Sequence, residues 1–435
     1  MTTSSKFLFR ASLVAASVAA ASSAYSAGFA LNDHSATASG KALAGVAASN
    51  EDISASFWNP ALFVNAQDTT VFVSGAYVMP SMDVTNISAN NSALAGGTTI
   101  AGSKSNNNSV DNTLVPSFYL AKPLSDKTVA GISLNVPFGL SGDYGDDWAG
   151  RFHATETAVQ DIALSFSLAH RMNDWVSVGA SVQVHKAEIV LGSAVGVVGR
   201  EGDGRIEADD VGYGYSFGVA LEPEKGTRIG LGYRSEVDFD FKGDVKYTNV
   251  TGLNAALTSQ GQANLVDANV SDSVTLPSVL TLGLEQDLTP KLTLGLTAIK
   301  TGWGSLDGLN INFDSSQSNS VLTFGFEDQW MYSAGLTYDY SDKLTLRTGV
   351  AMDNSPVTDE YRSARTPDGD RKWISIGGTY DFNDMTSATF AFTHVMIEDV
   401  SVNRTNLTED ASRGKLKADY ESSANVVSVA MNMAF

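Results

Sequence analysis

No cysteine occurs in the 435 residues, which removes disulfides, thiolate nucleophiles and thiolate-held metals. Histidine is sparse: five residues, at positions 34, 153, 170, 185 and 394, are too scattered for a histidine-rich metal centre. Positive charge is in deficit, with 28 Lys plus Arg against 48 Asp plus Glu and a net charge of −20. Nucleic acid is therefore not an expected partner. Past the N-terminus no run of 18 apolar residues exists, which excludes membrane-spanning helices. Neither a cofactor nor a metal is expected.

The first 26 residues read as an export signal. Lys6 and Arg10 form the charged region, Leu13 to Ala21 a short apolar core, and Ala24-Tyr25-Ser26 a small-residue cleavage site, with the mature chain starting at Ala27. The apolar stretch is too short for a retained anchor.

What is abundant is alternation of period two. In "ANVVSVAMNMAF" Val427, Val429, Met431, Met433 and Phe435 share one face; in "IALSFSLAH" Ile162, Leu164, Phe166 and Leu168 alternate with Ala163, Ser165, Ser167 and Ala169. The second face is small and polar, with little to build a core from. About fourteen such segments are present, near 69–78, 113–121, 127–137, 158–171, 175–190, 211–222, 227–245, 274–287, 291–301, 327–340, 343–353, 372–382, 386–399 and 424–435. Most reach the ~9–11 residues that a tilted strand needs to cross a bilayer. Six connections are short and rich in turn residues, such as "KPLSDK" and "EPEKG". The other seven are long, and long and short alternate strictly. Outer-membrane barrels place short turns in the periplasm and long loops outside. In lipid a spanning sheet must close so that every backbone group is paired. The fold expected is all-β: a 14-stranded antiparallel transmembrane β-barrel over 69–435.

Residues 27–68 do not alternate. They contain "ISASFWNPALF", where Pro60 removes a donor and drives Asn59 out of helical space. Asn59-Pro60-Ala61 thus sets a turn carrying Phe57, Trp58 and Leu62. These side chains are too apolar for a solvated tail. The expectation is an N-terminal hatch plugging the barrel. In the seventh strand Arg234, Glu236, Asp238 and Asp240 take the inward parity, and Arg347 does so in the eleventh. They either brace the wall as a charge ladder or meet a ligand head group. The third strand, "TVAGISLNVPFGL", runs into Pro137 and Gly139, and proline cannot donate to a ladder. Pro137 either bends the wall open or merely ends the strand.

Several blocks, in order over most of the mature chain, resemble the long-chain fatty acid transporter family of the Gram-negative outer membrane, which includes toluene-type hydrocarbon channels. They are "AGFALND", Asn59-Pro60-Ala61, "VPFGLSGDYGDDWAGRFH" (136–153), "YRSEVDFDFKG" (233–243), "DNSPV" (353–357) and "PDGDRKW" (367–373). The resemblance implies passive uptake of hydrophobic compounds, long-chain fatty acids by default. Ligand would be caught near the outer loops and leave sideways at a kink in the third strand, through Pro137, Phe138, Gly139 and Leu140. It also implies a basic pair for the carboxylate, but the corresponding positions, near Leu191 and Glu327, are not basic. Arg151 and His153 are the substitutes to consider, with a neutral hydrocarbon as the alternative ligand. The partners expected are a hydrophobic small molecule and outer-membrane lipid with lipopolysaccharide, bound by a monomer.

The sequence offers two weaker readings, a hydrolase and a porin. Gly214-Tyr215-Ser216-Phe217-Gly218 spells G-x-S-x-G, but a nucleophile elbow needs a strand-to-helix turn and this stretch reads as strand. A porin for polar solutes has no need of a forty-residue plug.

Overall fold

The structure, a computed structural model, describes residues 28–92, 97–107, 109–197 and 199–435; the export segment lies outside them. Fourteen strands form the wall: β1 Thr70–Asn90, β2 Thr113–Ser125, β3 Thr128–Asp143, β4 Glu156–Asn173, β5 Val176–Val197, β6 Arg200–Glu224, β7 in two parts (Thr227–Arg234 and Val237–Thr248), β8 in two parts (Ala268–Leu276 and Val279–Thr289), β9 Leu292–Thr301, β10 Gln329–Ser341, β11 Leu344–Asp353, β12 Arg371–Asn383, β13 Thr386–Ile397 and β14 Lys415–Ala434. Each pairs antiparallel with the next, and β14 closes on β1 from Thr70↔Ala434 to Asn90↔Lys415. Pairing of the first and last strands closes the sheet, so neither of them presents an edge to lipid.

The six short connections are two-residue tips between paired strands, such as 126–127 and 225–226, all at one end. Trp175, Tyr340 and Phe382 stand exposed beside them, as an interfacial aromatic girdle requires. At the other end the strands run further than their sequence pattern suggests. β1 continues to Asn90, and β5 and β6 form one hairpin up to Val197↔Arg200, so much of the segments 79–112 and 191–210 is strand rather than loop. A strand of 25 residues, as in β6, stands well clear of the bilayer.

Within the membrane the greasy face points out: Phe166, Leu168, Val182 and Val429 are exposed while Ser165, Ser167, Ser181 and Ser428 are buried. Above it, two strands exchange faces. In β7, Ile229, Leu231 and Tyr233 point out and Arg234 in. Ser235 is then an extra inward residue, its N donating to Tyr215 O (2.9 Å) and its Oγ accepting from Tyr215 N (3.0 Å). Past this bulge Val237, Phe239 and Phe241 are buried, and Glu236, Asp238 and Asp240 are exposed. The expectation that Glu236, Asp238 and Asp240 face the lumen is therefore wrong: one inserted residue slips the register and turns every later side chain over. β8 does the same at Pro277-Ser278, with Val274 and Leu276 inside above it and Thr281 and Glu285 inside below. The barrel thus stays hydrophilic outside where it leaves the membrane and becomes apolar inside.

Residues 28–66 occupy the lumen as one helical turn, Ala36–Ser39, and three 3-10 turns, Val46–Ala48, Ile53–Phe57 and Pro60–Asn65. Nearly all are buried. The wall meets this hatch with glycines on strand after strand, among them Gly179, Gly218, Gly283, Gly295, Gly335 and Gly349. At Gly230 and Gly232 a Cβ would overlap the carbonyl oxygens of Ala47 and Trp58. The hatch backbone therefore lies directly on the wall backbone.

Candidate functional site

The turn predicted from Asn59-Pro60-Ala61 is a buckle. Asn59 caps the Pro60–Asn65 turn by accepting from Ala61 N (3.0 Å), and its Nδ2 donates to Ala47 O (2.7 Å) and to Val219 O of β6 (2.9 Å). One carboxamide thereby ties two hatch turns to the wall. Elsewhere Lys41, buried, bridges Glu51 (2.5 Å) and Glu285 (2.7 Å), while Arg347 reaches Glu51 (Nε to Oε2, 2.6 Å) and Arg228 reaches Glu285. Arg347 thus does face inward, in a chain of charges joining hatch to wall. Burial would raise the Glu51 carboxyl, but Arg347 and Lys41 outweigh it and hold the pKa at about 2.

The decisive feature lies at β3. Pro137 does not end the strand; pairing with β4 continues to Asp143↔Glu156, with a register shift between Asn135 and Phe138. This is a bulge, and five consecutive residues, 135–139, are buried there. On the other side the β2–β3 ladder stops at Phe118↔Leu134, although β2 goes on pairing with β1 as far as Thr113. The wall is unpaired between 113–117 and 135–139. The free edge of β3 is met from inside by the hatch. Leu31 N donates to Pro137 O (2.8 Å) and Gly139 N donates to Phe29 O (2.8 Å), flanking an antiparallel bridge between Ala30 and Phe138. Phe29 packs against Trp303 (ring centroids 4.8 Å apart) and Phe138 (6.0 Å).

Beneath this strap is a cavity of about 480 Å³ lined by Leu31, Phe57, Trp58, Pro137, Phe138, Arg234 and Ile299 among others. Arg234 donates from Nη2 to Phe57 O (2.7 Å), and its guanidinium carbon stands 3.7 Å from the Phe57 ring centroid. Its Nε, and the Nε1 of Trp58, have no hydrogen-bond partner among the described residues. Both donors belong to residues that line this largely apolar cavity. A second cavity of about 320 Å³, nearer the outer loops, is lined by Ile189, Leu191, Ile206, Phe241, Val270 and Ile311. On the periplasmic side of the hatch the lumen is lined instead by Glu51, Arg228, Glu285, Asp339, Arg347 and Asp381, which gives an alkyl chain nothing to lie against.

The remaining candidates separate. Leu140 lies one turn of the pleat above the strap, beside a third cavity. Arg151 is committed to Glu201 (Nε to Oε2 and Nη2 to Oε1, both 2.8 Å) and to Ala101 O, under the outer loops. His153 is buried 3.9 Å from Asp410, and burial pushes its pKa down to about 4, so it is neutral at pH 7. Neither lines the cavity at the kink. Glu236 faces outward. Ser216 lines that cavity, but Gly214 to Gly218 lie wholly within β6, with no helix to follow. Sequence reasoning missed Leu31, Phe29 and Trp303. The glycines recurring on the inward parity are the signal that could have shown how closely the hatch sits.

A closed barrel with this hatch and bulge has relatives. The family model described as outer membrane protein transport protein (OMPP1/FadL/TodX) matches residues 17–435. The chain belongs to that family. As a FadL-family protein it resides in the outer membrane and is a transport channel for hydrophobic compounds rather than an enzyme. It is 31% identical over 412 residues to the long-chain fatty acid transport protein of Escherichia coli O6:H1, covering 88% of this chain and 90% of that protein. It is 28% identical over 467 residues to outer membrane protein P1 of Haemophilus influenzae, covering 98% and 99%. The crystal structure of a Pseudomonas aeruginosa FadL homologue superposes with a TM-score of 0.86 at 22% identity, over 94% of this chain and all of that one. The Ralstonia pickettii toluene transporter TbuX gives 0.66 at 17% identity, over 93% and 98%.

Proposed function

We infer that this chain carries long-chain fatty acids inward and releases them sideways into the outer membrane. One observation carries the reading: the β2–β3 ladder stops at Phe118↔Leu134, and residues 29–31 meet the exposed edge of β3 from within. Ligand is caught on the apolar faces of β5 to β8 under the outer loops. It passes the strap at Pro137, Phe138, Gly139 and Leu140 and occupies the cavity against Phe57, with Arg234 taking the head group. Asn59, Pro60 and Ala61 hold the hatch body in place while the strap moves. The charged vestibule below opposes an axial exit, so the gap in the wall is the cheaper route. All of these parts belong to one chain, which we read as a working monomer in contact with lipid and lipopolysaccharide.

Removing Pro137 restores an uninterrupted register between β3 and its neighbours. Uptake of labelled oleate by cells carrying this deletion is expected to fall at least tenfold while the barrel still assembles. Uptake at the parental rate contradicts the lateral route. A neutral hydrocarbon is the second reading, favoured by Leu191, which lines a cavity of aliphatic and aromatic side chains. Growth on oleate against growth on toluene, with and without the chain, separates the two.

A further inference from the structure

The third cavity, of about 460 Å³, lies just outside the strap. Met82, Val110, Leu140, Tyr144 and Pro367 give it apolar walls, and Gly28 of the strap forms part of its floor. It holds three charged side chains. Arg371 is bound to Asp368, which also accepts from Gly28 N (2.9 Å). The third, Arg365, has no such answer. Its Nη1 donates to Glu156 O and to Thr157 Oγ1 (both 2.8 Å), and its Nη2 to Gly192 O (2.9 Å). All three acceptors are neutral, and the Glu156 carboxylate is taken by Arg205. No carboxylate lies within ion-pair distance of Arg365 among the described residues. Arg365 is half-buried, and a guanidinium partly removed from water without a counter-ion is stabilised by an anion arriving in the cavity.

We propose that this cavity is an acid-selective station in front of the strap, where Arg365 receives the carboxylate of an alkanoic acid whose chain lies along Leu140, Val110 and Met82. The inference rests on the uptake reading above and adds an outer site, ahead of Arg234, at which the acid group is first recognised. It also explains how the chain recognises an acid although positions 191 and 327 are Leu and Glu. The station adjoins the strap directly. This cavity takes Gly28 and residues 140–142, and the cavity below takes Ala30, Leu31 and residues 137–138, so one short segment separates the two. An acid held at Arg365 is handed on when that segment moves.

The test is equilibrium binding of labelled oleate and of labelled oleyl alcohol to the purified full chain in a neutral detergent at pH 7.5. Wild type is expected to prefer oleate at least tenfold. R365Q should weaken oleate about tenfold and leave the alcohol within twofold. R365K keeps the charge but not the three-oxygen fork, and should retain most of the preference. The proposal is overturned if R365Q binds oleate as wild type does, if both ligands weaken together, or if R365K behaves like R365Q, which marks a structural clamp. Should R365Q fail to assemble, the wild-type comparison still decides, since no preference for the acid refutes the station. Binding of neither ligand by wild type sinks the uptake reading itself. Binding of both, indifferent to Arg365, sinks only this inference.

Discussion

At Asn59 a single fully buried carboxamide accepts from Ala61 N and donates to Ala47 O and Val219 O. Alanine there leaves the Ala61 amide and the Ala47 carbonyl without their partner and removes the tie to Val219 O. The expected cost is about 2 kcal/mol, roughly a thirtyfold increase in local opening of the hatch. Amide exchange checks this: hatch amides should lose protection while the strands keep theirs. Glu51 makes the complementary case for charge. It is packed among Lys41, Arg347, Asp52 and Glu285, and its carboxyl is held at about 2 against an ordinary 4.5. A depressed carboxyl contributes stability that is whole above pH 4.5 and drains away as the pH falls towards 2. Glu51→Gln strands Arg347 in a buried site, at about 3 kcal/mol. The difference in hatch protection between wild type and Glu51→Gln should therefore be large at pH 7 and shrink below about pH 4.5. A difference independent of pH contradicts the assignment.

At the scale of the strand, the bulges at Ser235 and Pro277-Ser278 decide where the molecule is greasy. Period-two alternation made the fourteen strands legible, and the turn residues located the periplasmic tips. The inversion in β7 was not legible, for a definite reason. Ile229, Leu231 and Tyr233 occupy odd positions, and so do Val237, Phe239 and Phe241. The pattern runs on unbroken while the face beneath it changes. Only the density of carboxylates at 236, 238 and 240 spoke against burial. In β3 the cue was visible as Pro137, yet proline alone does not distinguish a bulge from a strand end. The strap was illegible because its partners, Phe29 with Trp303 and Leu31 with Pro137, lie far apart in sequence. If the inverted faces form the capture surface, Phe241→Ala should lower oleate affinity about tenfold, or about 1.4 kcal/mol. Asp240→Asn, at the adjacent residue but on the outer face, should leave it unchanged. Equal effects of the two substitutions contradict the inversion.

Taken as a whole molecule, the chain is a cylinder stoppered by its own N-terminal residues, with its cavities above the stopper and a charged vestibule below. A water-filled porin conducts steadily. Here a planar-bilayer recording should show no large steady current, and such a current would contradict the plug. The route itself is tested most directly at the strap. Hydrogen bonds flank the Ala30–Phe138 bridge without joining the two residues, a placement that brings Cα atoms to about 4.5 Å, within disulfide range. Because the chain has no cysteine of its own, the pair Ala30→Cys and Phe138→Cys can be oxidised without competing bonds. The measurement is oleate uptake by this double variant before and after a reducing agent. The account predicts that the oxidised form is blocked and that reduction restores transport; equal uptake in both states would mean that the cargo does not pass the strap at all.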